Sequence, residues 1–502
     1  MRHLNKEILR LALPSILANL TVPLVGLVDI AVAGHLKTSA AALIGGISVG
    51  SLMFDMLYWN FGFLRAGTGG LTAQAYGRED WEACLQNLRH AIGAALVSAL
   101  VLIAVQWPFQ KLMFVFVQCS DEVMELALKY FYIRIWAAPA TLCLMVMRGW
   151  FIGMQDTFSS MLTDIMVNGM NIVASILLAL GVPGTSFSGI GFTGIAWGTF
   201  IAQYSGLLTA AVIFLLKYRR LLIPSVIDAT YQVADGAFSG STASLRSAPP
   251  LASHSEAPVP PLNVPRVAVV SPSEAPSSPD SGNAPGKAPL REFFSVNRDL
   301  FVRSLCLMAV YLAFTAISAR FGDTLLAMCS IMMKLMMIFS YFTDGFAFAG
   351  EALTGRFVGR RDKYAVSKTV KWTFIWSMGI GLFFVFLYAA AGSPMFHIMT
   401  SDNTVVDAAK AFLPWLVIMP LLGCPAFTWD GIYTGATATK EMRDSNIGCV
   451  LAFALVWFLG EVLLKPEGGE RVHLLFAAYY AHLIYRSAYQ TLKYRQAVLG
   501  KI

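Results

Sequence analysis

Between Leu11 and Leu36 the chain holds one acid, Asp29, and no Lys or Arg. About 20 residues at ~1.5 Å rise cross a ~30 Å hydrocarbon core, so this stretch can span a bilayer. A carboxylate at that depth is costly and is read as a functional group. Asn19, Pro23, Gly26, Asp29 and Ala33 recur at helical spacing, a small and polar face suited to a protein neighbour or a cavity. The plainer alternative is an acid near the outer helix end that reaches headgroup water.

Further polar residues lie in other apolar stretches. Asp164, Asn168, Asn171 and Ser175 are spaced by four, three and four, which puts them on one helix face. They read either as a polar cavity wall near Asp29 or as helix–helix glue, with Asp164 a solvated or capping acid at the inner end. Lys334, Asp344 and Glu351 follow one another in a later stretch, with Asp430 facing them, as a charged cluster for protons, Na⁺ or a cationic substrate. The alternative is a static ion-pair network. Arg148 lies where a repeat described below places Asp430, and reads either as one side of an inner gate or as a snorkelling base. Snorkelling is preferred.

No enzymatic constellation accompanies these groups. Walker A, Gly-x-Ser-x-Gly, HExxH and paired Cys/His spacings are absent, and the seven cysteines are scattered without a CxxC. No metal site and no cofactor are expected beyond H⁺, or Na⁺, as coupling ion. Of 502 residues 56% are hydrophobic and 13% charged, against about 25% charged in soluble proteins, so the chain is an integral membrane protein. The net charge of +7 could suggest nucleic acid, but the bases cluster at helix ends as positive-inside topology requires.

The elements that must position these groups are twelve apolar spans: 9–34, 42–65, 87–108, 122–150, 157–181 and 190–216, then 297–320, 324–353, 367–391, 406–434, 443–463 and 471–491. The base-rich connections mark the cytoplasmic side, and twelve spans then place both termini there. Residues 223–292 hold 12 of the 22 prolines among Ser, Ala and Gly and read as a disordered cytoplasmic linker. The linker divides a first six-helix lobe, 1–222, from a second, 293–502. The lobes repeat. Leu71, Thr72, Gly77, Arg78, Asp80, Gly149, Gly153 and Thr157 recur as Leu353, Thr354, Gly359, Arg360, Asp362, Gly431, Gly435 and Thr439, always 282 positions on. Six spans per half give a parallel repeat around a central cleft, an all-α architecture found in secondary transporters.

Leu11-Ala12-Leu13-Pro14, Val28-Asp29-Ile30-Ala31-Val32-Ala33-Gly34-His35-Leu36, Leu71-Thr72-Ala73-Gln74-Ala75-Tyr76-Gly77, Asp344-Gly345-Phe346-Ala347-Phe348-Ala349-Gly350-Glu351 and Gly435-Ala436-Thr437-Ala438-Thr439-Lys440 resemble the multidrug and toxic compound extrusion (MATE) transporters. The DinF-like branch is the nearest in pattern. The resemblance implies a V-shaped twelve-helix antiporter that exports amphipathic, often cationic and aromatic compounds against H⁺ or Na⁺. It further implies Asp29 as the protonation site, a helix bend at Pro14, and a first-lobe cavity with Asn168 and Asn171; at Ser175 the chain departs from relatives with a second acid.

The expected partners are small amphipathic substrates and the bilayer, with no nucleic acid, and the chain is expected to act as a monomer. Two rivals to H⁺ antiport are a Na⁺-coupled exporter and a flippase for a lipid-linked sugar precursor. The flippase would need more intramembrane Arg and Lys to grip pyrophosphate. A non-transport scaffold would instead make the linker indispensable.

Overall fold

A computed structural model describes residues 2–34, 36, 40–116, 119–181, 187–222, 290–400, 402–466 and 468–502. The expected linker, 223–292, falls almost wholly outside them; its last three residues are helical. The first half contains α1 (Arg2–Gly34), α2 (Ala40–Trp59), α3 (Gly62–Gly77), α4 (Trp81–Ala104), α5 (Gln106–Phe116), α6 (Asp121–Arg134), α7 (Ala138–Gly153), α8 (Thr157–Leu180) and α9 (Phe192–Leu222). The second contains α10 (Leu290–Ser318), α11 (Asp323–Gly359), α12 (Lys363–Met399), α13 (Asn403–Gly435), α14 (Thr439–Leu464) and α15 (Gly469–Ala497).

Eleven spans among the described residues are long and apolar enough to cross a membrane, two of them broken into consecutive helices. The second breaks between α2 and α3 at Asn60, whose amide bonds the Met56 carbonyl. The fourth breaks between α6 and α7 ahead of Pro139, at the start of α7. The expected twelfth, α15, has the length but not the apolar composition. It turns His482, Arg486 and Gln490, one turn apart each, into the second half. Lipid-facing helices show the reverse pattern: Leu451, Leu455, Phe458, Leu459 and Val462 form one exposed apolar stripe of α14.

The repeat has a steric cause. A Cβ on Gly77 would lie 2.0 Å from the Arg356 carbonyl oxygen, and one on Gly359 would lie 2.2 Å from that of Gln74. Gly149 and Gly431 likewise meet the carbonyls of Arg65 and Ala347, at 2.1 and 2.0 Å. Each contact in one half maps onto its counterpart in the other, so the shared glycines mark backbone-to-backbone crossings. The rest of the repeated motif ends one helix and starts the next. Glu79 and Arg361 take left-handed φ of 61° and 56°, and Asp80 and Asp362 then cap α4 and α12 through the amides of Ala83 and Ala365. Gln155 and Thr437 repeat the left-handed turn at the other two helix ends.

These turns gather at the end of the bundle that carries the described N-terminal helix start and the C-terminal residues; we term it the near end. There the halves are joined. Gln74 donates to the Gly435 carbonyl and to Thr437 Oγ1, Gln155 to the Ala352 carbonyl, and Arg360 pairs with Glu79. Ile8, Leu11, Ala12 and Ile16 of α1 form a buried cluster with Phe346, Ala349, Ala352 and Leu353 of α11. One hydrophobic core runs through the first half and into the near-end part of the second, reaching Val366, Ile432 and Tyr433. The far part of the second half has a separate core around Phe314, Met332, Phe339 and Tyr388. Among the described residues, cross-half bonds and ring contacts stop at mid-bundle, with Asn19 Nδ2 on the Tyr341 carbonyl and Trp59 against Tyr311. The halves thus close at one end only.

Gly77→Ala forces a methyl into a carbonyl and should cost about 1–3 kcal/mol by overpacking, read as a lower thermal midpoint in detergent. An unchanged midpoint would mean the crossing is looser than its contacts indicate. Asp156 gives a second check, in pH. It lies between α7 and α8, accepts from the Ser159 amide and hydroxyl and from Tyr218, and pairs with Lys217 at 2.6 Å. Burial alone would push its carboxyl up, but the hydrogen bonds from Lys217 and Ser159 and the Lys217 charge outweigh it and hold the carboxyl below its usual range. A depressed folded value means its contribution is present above the unfolded value, about 3.9, and is lost as pH falls below it. Stability of Asp156→Asn should therefore vary less than wild type between neutral pH and about pH 3 in denaturant titrations.

Candidate functional site

Asp29 is turned from α1 toward α8 and is 5% exposed. The two helices are stitched by Asn168 Nδ2, which donates to Thr21 Oγ1. Asn171 does the same for α8 and α9, donating to Thr199 Oγ1 at 2.9 Å. Ser175, one turn further, lies beside the Asp29 carboxyl and 3.5 Å from Asn171 Oδ1. The expected stripe is therefore a wall around Asp29, with its two amides committed to inter-helix bonds. Gly26, one turn before Asp29, faces open space. Pro14 and Pro23 both sit inside α1, which runs on through them as one helix.

One charged neighbour of Asp29 was not among the expected residues. Arg134, at the end of α6, acts electrostatically on both Asp29 and Asp55 of α2. Its guanidinium donates to Tyr130 Oη at 2.7 Å and lies over the Phe54 ring at 4.7 Å. Even so, Asp29 Oδ1 has no hydrogen-bond partner, and the carboxyl makes no ion pair among the described residues. The rule that singled out Asp29 applies equally to Asp55 in its apolar helix. Arg134 lies inside the expected span 122–150, but the acids it acts on come from other helices, so the local sequence does not mark it.

The second-half cluster divides in three. Asp430 of α13 is held between Arg303 of α10 and Arg486 of α15, the latter 2% exposed. Glu351 of α11 pairs with Arg65 of α3 at 3.1 Å, an ion pair that crosses between the halves. Arg65 also lies 4.4 Å from the Phe348 ring centroid. Asp344, two turns back from Glu351, makes no hydrogen bond or ion pair among the described residues, although Arg65, Arg303 and Arg486 all act on it.

Lys334 does not belong with them. It is exposed on the far part of α11, ten residues or about 15 Å of helix from Asp344. Arg148 is also corrected: it neither snorkels nor faces Asp430, but pairs with Asp164 within the first half. Asp164 is accordingly a buried partner rather than a solvated cap. Arg65, Arg303 and Arg486 escaped the sequence reading because each sits near a span end or in a polar span, where a base looks like topology.

The repeat clarifies the cross-half pair. Position 351 corresponds to 69 and position 65 to 347, and the counterparts are Gly69 and Ala347. A Cβ on Gly69 would lie 2.1 Å from Glu351 Oε1. Where the halves cross, one acid and one base break the symmetry, and a glycine opposite makes room for the acid.

Comparison with known proteins agrees with this architecture. The MatE family model matches residues 14–177 and 300–458. The chain is 31% identical over 451 residues to DNA damage-inducible protein F of Escherichia coli (strain K12), covering 90% of this chain and 85% of the relative. It is 28% identical over 191 residues to the probable multidrug resistance protein NorM of Pasteurella multocida, covering 37% and 40% of the two chains. Among solved structures, an outward-facing multidrug resistance MATE family transporter matches with a TM-score of 0.76 at 14% identity, over 99% of this chain and 96% of that one. The bent form of the Vibrio cholerae MATE transporter VcmN matches with a TM-score of 0.73 at 14% identity, over 100% and 98%.

The Arg65–Glu351 pair allows a double-mutant test. Arg65→Met leaves a buried, unpaired Glu351 and should cost about 3–5 kcal/mol, whereas Arg65→Met with Glu351→Gln should recover most of that. Equal losses in single and double variants, measured by chemical denaturation, would show that the two side chains act independently.

Proposed function

The chain belongs to the MATE family of multi-pass membrane transporters, and from that premise we propose that it exports amphipathic, often cationic and aromatic compounds against an inward flow of H⁺. The observation that carries the coupling ion is the state of Asp29. Most other buried acids of the two halves are tied to a base, but this carboxyl makes no ion pair among the described residues, and its Oδ1 at the α1–α8 contact has no hydrogen-bond partner. A buried polar atom without a partner is costly, more so when the group is charged, so a proton arriving there changes the energy of that contact directly.

The cycle follows from the one-sided closure. With the base-rich near end in the cytoplasm of a bacterial inner membrane, the cleft of this form opens outward. Asp29 then takes a proton from outside. Loss of its charge weakens its interaction with Arg134, lets α1 repack along α8, and loosens the hold on a cationic substrate. The substrate leaves outward. The halves rock, the near end opens, and the proton is released inward as a new substrate enters. Asn168 and Asn171 hold the helices that must shift, while Asp344 offers a second-half carboxylate to a cation in the cleft. The single chain supplies both halves, consistent with a monomer as the working unit.

The test uses proteoliposomes loaded with a fluorescent cation, with pH and Na⁺ gradients imposed separately and choline replacing Na⁺. Wild-type flux should follow the proton gradient in either salt, and Asp29→Asn should lose it while retaining substrate binding. Flux that persists in Asp29→Asn with the same pH dependence would remove Asp29 from the mechanism. Flux that needs Na⁺ at fixed pH would replace the coupling ion.

A further inference from the structure

Two charges of opposite sign inside the membrane spans remain unpaired and on opposite halves. Asp55 lies on α2 and Lys334 on α11, and neither makes a hydrogen bond or ion pair among the described residues. In the same bundle Arg65, Arg148, Arg303 and Arg486 each have a carboxylate partner. An intramembrane charge left without one calls for a reason.

We propose that Asp55 and Lys334 form the ion pair that seals the far mouth when the halves rock to their other arrangement. The proposal rests on the alternating-access reading above, but not on the identity of the coupling ion.

The two groups lie within electrostatic reach of each other. Lys334 acts on Asp55 across the cleft, and Asp55 in turn acts on Tyr311 and Tyr341, both of the second half. Their heights also match. The last contacts between the halves are Trp59 with Tyr311 and Asn19 with Tyr341. Asp55 is one turn beyond Trp59 and Lys334 two turns beyond Tyr341, toward the open end. Those steps are about 6 and 10 Å along the helices, and a Lys side chain easily spans the ~4 Å difference.

The same two spans carry the near-end pair, with the signs exchanged. At the near end the first half supplies the base, Arg65, and the second the acid, Glu351, at 3.1 Å. At the far end the first half supplies the acid and the second the base. Rocking about the Trp59–Tyr311 level separates one pair as it brings the other together, so both arrangements keep one cross-half ion pair. This limits the cost of exposing or burying an unpaired charge in either arrangement.

The charges around Asp55 leave room for Lys334. On the first half Asp55 faces Asp29 through Arg134, with Tyr58 beside the guanidinium. One base shared between two acids leaves Asp55 without an ion-pair partner of its own, which Lys334 supplies on closure.

The experiment measures the mouth directly. Spin labels at Ser51→Cys and Ser330→Cys, one turn outward of each group, report the far-end separation by pulsed electron–electron resonance in lipid nanodiscs. Cys119 and Cys306, the free cysteines that are not buried, are changed to Ser. Wild type should show a short and a long distance. Lys334→Gln and Asp55→Asn should each lower the short-distance population about three- to tenfold, and the swap Asp55→Lys with Lys334→Asp should restore it. A short-distance population unchanged in both single variants, or singles that fall while the folded swap does not recover, would overturn the pairing; the second outcome would assign Lys334 to the lipid headgroups. Because no transport is measured, a failed proton-flux assay leaves this result standing, and a failed seal leaves proton coupling standing.

Discussion

Charge in a low-dielectric bundle has to be answered by charge, and most of this molecule follows from how that is done. Asp430 is held by Arg303 and Arg486, Asp164 by Arg148, and Glu351 by Arg65. These pairs tie α13 to α10 and α15, α8 to α7, and α11 to α3. Removing either member would strand its partner, so the helices they join behave as units. Asp29, Asp55, Asp344, Arg134 and Lys334 are left without an ion pair among the described residues. The Asp430 and Asp164 pairs hold each half together, and the Glu351 pair joins the halves at the near end.

The glycine crossings make such an arrangement geometrically feasible. Gly77 with Gly359, and Gly149 with Gly431, let backbones approach closely enough that α3, α7, α11 and α13 pack without intervening side chains. Backbone contact at one end of a bundle leaves the other end free to splay. The core follows suit, continuous between halves near the crossings and separate beyond them. A transporter needs rigid halves and a compliant interface, and cross-half backbone contact at the near end leaves the interface free to move at the other.

The symmetry of the repeat is most informative where it fails. Arg148 and Asp430 occupy equivalent positions with opposite charge, and each recruits a partner from within its own half. Arg65 and Glu351 have no charged counterparts, and they meet each other across the interface. Asp29 corresponds to Tyr311, so the second half carries a tyrosine where the first carries the acid. The halves share a scaffold and divide the chemistry.

The membrane class, most of the helical spans and the repeat were legible in the sequence, because each is written in local composition or in a fixed offset. Asn168, Asn171 and Ser175 were legible as one face for the same reason, helical periodicity. The breaks at Asn60 and Pro139, the polar twelfth span and every ion partner were decided only by tertiary structure. Arg486 lies 56 positions from Asp430, and Arg65 lies 286 from Glu351. Lys334 sits in one helix with Asp344 yet belongs to the other end of the cleft, and Arg148 ends beside Asp164 rather than in solvent. A sequence shows which charges enter the membrane, but whether each is answered depends on helices that meet only when the chain is folded.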